Sequence, residues 1–137
     1  MDYIKDFVDA KYHLAVAGRM LASYDEVGDK RFLIGIIREA ARATSNLVGA
    51  FVKRENSRGD WRNVLLKYVD GATCENLFRI LEIERAQRSS PIEYARRDKI
   101  ILLVDGKYRI LTVDRIREFV KSVGDGIKIF DRNFRQI

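Results

Sequence analysis

Apolar residues recur every three or four positions along most of the chain, which predicts a mainly helical protein. Residues 3–23 predict an amphipathic first helix. Its apolar face comprises Ile4, Phe7, Val8, Leu14, Ala15, Gly18, Leu21 and Ala22. In residues 30–54 the apolar positions cover more than half of the helix circumference. This wider stripe predicts a second helix that is buried on several sides.

The remaining face of the second helix is narrow and basic. It carries Arg31, Arg38, Arg42 and Lys53, interleaved with Gly35, Ser45 and Gly49. Small residues let another backbone come close, so two interpretations remain open. This face is either the solvent side of a central helix, or the floor of a basic groove or a subunit interface lined by small residues.

Two shorter helices follow the loop at residues 56–60. Asp60 is expected to cap a short third helix that carries Trp61, Leu65 and Tyr68 on one side. Gly71 is expected to stop that helix, and Thr73 to cap a fourth helix. The segment Ser90-Pro91-Ile92-Glu93 has a capping-box pattern, which predicts one or two helical turns through Tyr94 and Arg96.

The strongest local signal is a β-hairpin near residue 105. Two apolar, β-branched runs at 99–104 and 107–111 flank the dipeptide Asp105-Gly106. Thr112 is then expected to cap the last helix.

The last helix presents a choice at Gly124 and Gly126. These glycines either end the helix, leaving 127–130 as a third strand, or lie within one helix over 112–134. An apolar stripe continues through both: Ile116, Val120, Val123, Ile127, Phe130 and Phe134. Two interior glycines cost about 1 kcal/mol each, whereas three further buried side chains gain about 1.5–3 kcal/mol apiece. We therefore favour one long helix.

Together these elements predict a mainly α fold, a five- to six-helix bundle with one β-hairpin before the C-terminal helix. We expect a single domain over residues 1–137. Its parts are a helical bundle at 3–88, a capping segment and hairpin at 90–111, and the C-terminal helix at 112–134.

The amino-acid composition excludes several classes of protein. Of the 137 residues 47% are hydrophobic, with one cysteine and one histidine, which argues against a disordered chain, a disulfide scaffold or a Cys- or His-rich metal site. No apolar run is long enough to cross a membrane, and the first residues are too acidic for a signal peptide. We expect a cytoplasmic protein with no metal and no cofactor.

Few residues suggest catalysis. His13 lies one helical turn after Asp9, a spacing typical of a surface pair. Cys74 lies near a helix N-terminus, which lowers the pKa of a thiol, but without a His partner it is expected to be a partly buried structural thiol. Glycine-rich phosphate loops are absent from the sequence. We therefore expect a binding protein rather than an enzyme, with no catalytic residues.

Positive charge indicates a class of partner. The chain carries 26 Lys+Arg against 20 Asp+Glu, a net charge of +6, and most of the excess falls in residues 31–59 and 99–137. Most of the cations are Arg, which suits bidentate contacts to phosphate. We expect RNA or another polyanion to bind through Arg31, Arg38, Arg42, Arg62 and Lys67.

The stretch Trp61-Arg62-Asn63-Val64-Leu65-Leu66-Lys67-Tyr68 resembles the motif of HEPN (higher eukaryotes and prokaryotes nucleotide-binding) domains, one branch of which reads approximately RNxLVHxY. The Ala-rich stretch Glu39-Ala40-Ala41-Arg42-Ala43 fits the long helix that precedes this motif. The resemblance covers about residues 3–88. It implies a compact α-bundle that is usually dimeric and often cuts RNA.

The sequence departs from the family at the catalytic histidine, where it has Lys67. A Lys with an ordinary pKa near 10.4 stays protonated and is no general base near neutral pH. The resemblance therefore implies a catalytically silent member that keeps phosphate affinity through Arg62 and Lys67. In an active ribonuclease the site would be Arg62, Asn63, Lys67 and Tyr68.

Three hypotheses follow. The first is a non-catalytic homodimeric module that binds RNA or another polyanion through a basic face. The second is a protein-interaction or structural domain that uses the edge of the hairpin. The third is a metal-independent ribonuclease of the HEPN type.

Overall fold

The computed structural model describes residues 2–89, 93–96, 98–104 and 106–134. Its elements in chain order are α1 (Asp2–Val27), α2 (Arg31–Glu55), α3 (Trp61–Leu65), α4 (Gly71–Ser89), β1 (Glu93–Arg96), β2 (Lys99–Val104), β3 (Lys107–Thr112) and α5 (Val113–Phe134). The mainly α fold with a β-hairpin before the last helix is confirmed. None of the described helices combines the length and hydropathy needed to span a bilayer.

α1 and α2 form an antiparallel pair. α1 runs four residues beyond the predicted end at 23, and Gly28 ends it with a φ of 72°. Gly35 and Gly49 of α2 lie under side chains of α1, and a Cβ at Gly35 would overlap Met20. The small residues of α2 thus admit α1 of the same chain, rather than another subunit.

α2 is the central element of the core. It packs against α1, α3, α4, α5 and β2. Leu33, Ile36, Leu47 and Phe51 are fully buried on it. Because α2 has neighbours on several sides, the apolar stripe of residues 30–54 is wide.

An aromatic cluster fills one end of the bundle. Phe130 of α5 stacks on Phe7 of α1, with ring centroids 4.7 Å apart, and meets Phe51 of α2 edge-on at 5.0 Å. Phe134 contacts Phe130 and Tyr68 at 4.9 and 5.0 Å. Such contacts add to the energy of apolar burial, so the cluster joins α1, α2 and α5.

The apolar face predicted for α1 is divided in the structure. The core side consists of buried Tyr3, Ala10, Ala17 and Tyr24, with Phe7, Leu14 and Leu21 partly buried beside them. The other predicted members are not in the core: Ile4 and Val8 are 46% and 58% exposed, and Ala15, Gly18 and Ala22 are also exposed. α1 contacts α2 and α5 through one of its faces only. The apolar residues on its other face are therefore exposed to solvent.

The predicted start of α3 is confirmed, whereas the predicted start of α4 is not. The Asp60 side chain accepts a hydrogen bond from the Arg62 backbone N–H, so the predicted cap of α3 is confirmed. Gly71 does not stop α3 but begins α4. Thr73 is buried in the first turn of α4, where its side chain hydrogen-bonds the Asp70 carboxyl and lowers the pKa of that group. Asp70, not Thr73, therefore caps α4.

The segment after α4 is the clearest error of the prediction. Residues 93–96 form strand β1 instead of helical turns, pairing antiparallel with β2 from Glu93 opposite Leu102 to Arg96 opposite Lys99. The capping-box residues 90–92 lie outside the described residues. β2 offers β1 a full ladder of backbone partners, and this tertiary pairing outweighs a local capping preference.

α5 continues through both glycines, so the prediction of one helix instead of a third strand at 127–130 is confirmed. Ile116, Val123, Ile127 and Phe130 are buried along it. Gly126 faces Leu47, which leaves no room for a Cβ.

β3 passes directly into α5. Thr112 is the last residue of the strand and Val113 the first of the helix. As predicted, the Thr112 hydroxyl caps the helix by accepting from the Arg115 N–H at 3.2 Å. The Val113 N–H donates to the Asp98 carbonyl at 3.0 Å, which ties this junction to the start of β2.

Candidate functional site: an arginine-lined cleft on α2

α1, α2 and α4 enclose an open polar cleft of about 490 Å³ on the outer side of α2. Its lining residues are His13, Arg38, Ala41, Arg42, Ser45, Asn46, Glu84 and Arg88. This volume falls in the range of about 300–1,000 Å³ that is usual for ligand pockets. We call it the arginine cleft.

The residues that form the floor of the arginine cleft share one face of α2 because of their spacing in the sequence. Arg38, Arg42 and Ser45 follow one another at intervals of four and three residues, so they share one face of α2. The opposite face of the helix carries Ile36 and Ala43, which are fully buried. Because the face with Ile36 and Ala43 is buried in the core, the polar residues on the opposite face of α2 are directed into the cleft.

Two of the three guanidinium groups have carboxylate partners. Arg42 donates to Glu39 Oε1 at 3.0 Å, and Arg88 Nε lies 2.9 Å from Glu84 Oε1. Arg38 is exposed, and no carboxylate of the described residues lies within ion-pairing distance of it. Arg38 therefore provides the positive charge that is not neutralised within the cleft.

The wall on the α1 side consists of a histidine–carboxylate contact. His13 Nδ1 lies 2.6 Å from Glu39 Oε2, and both side chains are partly buried. The predicted surface pair of His13 with Asp9 is wrong, because Asp9 pairs with Lys5 and His13 turns toward α2. No side-chain hydrogen bond joins His13 to Ser45 in the described structure. The cleft thus presents hydrogen-bond donors without an assembled nucleophile and base.

Of the five residues predicted to bind an anion, the arginine cleft brings together Arg38 and Arg42. Arg31 is exposed at the start of α2 and forms an ion pair with Asp29 at 2.6 Å. Hydrogen bonds from the Arg31 side chain and backbone lower the pKa of Asp29 to about 2. Arg31 is therefore held by its own turn, away from the cleft.

The other two predicted residues lie around α3. The Arg62 guanidinium stacks on the Phe78 ring of α4, 3.5 Å from its centroid, while Lys67 is exposed. Tyr68 donates a hydrogen bond from its hydroxyl to Glu55, and Asn63 is exposed. No side-chain hydrogen bond joins any two of these four residues, all of which the structure describes. Within one chain, Arg62 and Tyr68 thus contact Phe78 and Glu55, and not one another.

Cys74 is buried more fully than the partly buried thiol that was predicted, and the pKa of its thiol is raised, whereas a helix N-terminus lowers it. Burial raises the pKa of Cys74, and the nearby positive charge of Arg62 offsets this only in part. Desolvation of the thiolate is the largest cause of the raised pKa.

Arg88 and Asn46 are the cleft residues that the sequence prediction missed. Arg88 follows Glu84 by four residues, which the sequence does reveal as a helical ion pair. The end of α4 lies beside the middle of α2 because of tertiary packing, which no local pattern in the sequence indicates.

Among the described residues, no group of three or more His, Cys, Asp or Glu side chains is arranged to hold a metal ion. Comparisons with protein-family models, with curated proteins and with solved structures found no match to this chain. The resemblance to HEPN domains accordingly stays a prediction.

Proposed function

We propose that the protein is a non-catalytic module that binds RNA or another polyanion, and that the phosphate groups bind in the arginine cleft. The observation that carries this proposal is the guanidinium of Arg38, which has no carboxylate partner among the described residues and lies beside Arg42 and Arg88 in a cleft of about 490 Å³. We further propose that it acts in the cytoplasm, where a free thiol such as Cys74 stays reduced.

The chemistry of the lining suits a phosphodiester. Guanidinium groups donate two parallel hydrogen bonds to phosphate oxygens, and Ser45 and Asn46 add neutral hydrogen-bonding groups next to them. Because Glu39 and Glu84 neutralise two arginines, the cleft suits a few phosphates rather than a long, highly charged track. Electrostatic binding should therefore be local and only moderately sensitive to salt.

The outer stripe of α1 supports the homodimer that the sequence predicts. Ile4, Val8 and Tyr12 are exposed large apolar residues in the first half of α1, and Ala15, Gly18 and Ala22 follow on the same side. If two copies of α1 pack antiparallel, the large residues of each lie opposite the small residues of the other. Large-on-small packing of this kind brings helices close together, and we propose it as the contact between subunits.

Fluorescence anisotropy with a labelled single-stranded RNA tests the binding proposal. We expect Arg38→Ala and Arg88→Ala each to weaken binding roughly tenfold, the size typical of losing a charge-assisted contact. Arg132→Ala is the matched control, because Arg132 is exposed in the last turn of α5. For one to three phosphates, log K should fall against log salt with a slope of about −0.7 to −2.

Three outcomes would overturn the proposal. No measurable RNA affinity at 50 mM salt, a value chosen to favour electrostatic binding, would exclude the polyanion. A slope near −3.5, with equal losses for Arg31→Ala, Lys67→Ala and Arg38→Ala, would point to an extended basic face instead of the cleft. Cleavage of the RNA in the presence of EDTA, lost in Arg62→Ala, would favour the metal-independent ribonuclease.

A further inference from the structure

The face of the sheet turned away from the helices carries an exposed apolar patch. Tyr108 and Ile110 of β3 are 67% and 63% exposed. They lie opposite Leu103 and Ile101 of β2 in the antiparallel register. We call these four residues the outer patch. The alternate residues Ile100, Leu102 and Leu111 are buried on the opposite face of the sheet.

β3 also presents a free edge. The strand order is β1-β2-β3, so among the described residues β2 is the one strand that pairs with β3. Alternate residues of an edge strand turn their backbone N–H and C=O groups outward, where a further strand can pair with them. The free edge runs beside Tyr108 and Ile110, so backbone donors and an apolar surface lie together.

The inner side of the same edge is positively charged. Arg109, together with Arg79 and Arg115, lines a cavity of about 250 Å³ between the sheet, α4 and α5. Arg79 and Arg115 already pair with carboxylates of their own helices. Among the described residues no carboxylate lies within ion-pairing distance of Arg109 or Lys107. Among the described side chains, the edge of β3 therefore carries two cations without a carboxylate partner.

We propose that the free edge of β3 binds an extended segment of a partner protein as an added strand, and that this segment alternates apolar and acidic residues. Successive side chains of a strand point to opposite faces of the sheet. The apolar residues of the segment would cover Tyr108 and Ile110, and its carboxylates would lie beside Arg109 at the cavity. Backbone pairing supplies affinity and the side-chain alternation supplies specificity.

Charge argues against a second copy of β3 as the occupant. Pairing two identical edges would bring together two copies of Lys107 and Arg109, and a two-fold axis at Arg109 would place the two Arg109 side chains directly opposite each other. Like charges in opposed positions destabilise a strand pair. An acidic segment neutralises the same cations, so complementarity of charge selects it.

Isothermal titration with a synthetic eight-residue peptide of alternating valine and glutamate tests this proposal. We expect binding that Arg109→Glu weakens roughly tenfold and that Lys107→Glu also weakens. Arg132→Glu is the matched control: it makes the same change of charge in the last turn of α5, and α5 is about 33 Å long at 1.5 Å per residue. Circular dichroism establishes that each variant keeps its helices.

The peptide itself provides further controls. An alternating valine–lysine peptide and a peptide with the four valines and four glutamates in two blocks should not bind. N-methylation of alternate residues in one of the two possible phases should abolish binding, because it removes the N–H groups that face β3. Arg38→Ala should leave peptide binding unchanged, so failure of the arginine cleft and failure of this site are distinguishable.

The proposal is overturned if the valine–glutamate peptide does not bind at millimolar concentration. It is also overturned if both N-methylated phases bind as well as the parent, or if Arg109→Glu and Lys107→Glu have no more effect than Arg132→Glu. If Arg109→Glu instead weakens binding of single-stranded RNA while the peptide does not bind, this edge contacts nucleic acid and not protein.

Discussion

His13 on α1 and Arg42 on α2 share one carboxylate. Glu39 Oε2 lies 2.6 Å from His13 Nδ1, and Glu39 Oε1 accepts from Arg42 at 3.0 Å. The same side chain therefore joins the packing of two helices to the arginine cleft. Glu39 also places a negative charge next to a proposed phosphate site, so its contributions to stability and to binding should have opposite signs.

Glu39→Gln separates these two contributions. The substitution removes the negative charge and weakens the contact to His13, so we expect the free energy of unfolding to fall by about 1 kcal/mol. We also expect RNA affinity to rise roughly threefold, because Arg42 is no longer neutralised. Denaturant titration and anisotropy measure the two effects. Glu26→Gln, the same change in an exposed position of α1, should alter neither, and a loss of RNA affinity in Glu39→Gln would contradict the prediction.

Val8→Glu tests the subunit contact on α1. Val8 is exposed in the single chain, so a charge there should leave the fold of the chain intact. In a dimer it would be buried without a partner, which is strongly unfavourable. We expect light scattering to give twice the chain mass for the unmodified protein and the mass of one chain for the variant. Lys121→Glu on α5 should stay dimeric, and a monomeric unmodified protein would refute the homodimer.

The two glycines of α5 should respond to alanine with opposite signs. A Cβ at Gly124 would lie 3.7 Å from Leu14, an ordinary contact, so Gly124→Ala should stabilise the protein by about 0.5–1 kcal/mol through helix propensity. A Cβ at Gly126 would lie 2.7 Å from Cδ2 of Leu47, so this fully buried side chain would have to shift within the core. Gly126→Ala should cost about 1 kcal/mol or more, net of the propensity gain. Thermal and denaturant unfolding distinguish these signs, and equal effects would contradict this packing.

Cys74 should react slowly while the protein is folded. Burial raises the pKa of its thiol, so less thiolate forms at pH 8 than in the unfolded chain. We expect alkylation by iodoacetamide to be roughly tenfold slower, or more, in the native protein than in denaturant. Arg62→Ala removes a positive charge that lowers this pKa, and should slow native alkylation further.

The same shift has a consequence for stability. The folded state binds the thiol proton more tightly than the unfolded state does, so the free energy of unfolding should decrease as pH rises through the ordinary thiol pKa of about 8.5. Cys74→Ser should reduce this dependence. A native alkylation rate equal to that of the unfolded chain would show that the thiol is accessible.

Local physical rules account for what the sequence predicted well. The cap at Asp60, the hairpin at Asp105-Gly106 and the continuous stripe of α5 each depend on residues close in the chain. Tertiary contacts decided the remainder. Residues 93–96 became a strand because β2 offered its edge for pairing. Five of the eight residues on the predicted apolar face of α1 stayed exposed, because its neighbours cover only one side.

The residues of the candidate site likewise comprise some that the sequence predicts and others that only tertiary packing places. The spacing of Arg38 and Arg42 on one face of α2 could be read from the sequence. Arg31 and Arg62 have the same chemistry, yet Asp29 and Phe78 hold them elsewhere. Arg88 joins the cleft because α4 ends beside α2, a relation that no short segment of sequence encodes.

The direct passage of β3 into α5 at Thr112 and Val113 leaves no loop to absorb movement between strand and helix. The orientation of β3 and the orientation of α5 are therefore directly linked. Because α5 is about 33 Å long, a tilt of about 5° at the strand would carry its far end through about 3 Å. That end holds Phe130 and Phe134, so a change in the tilt of α5 would alter the packing of the aromatic cluster at the far end of this helix.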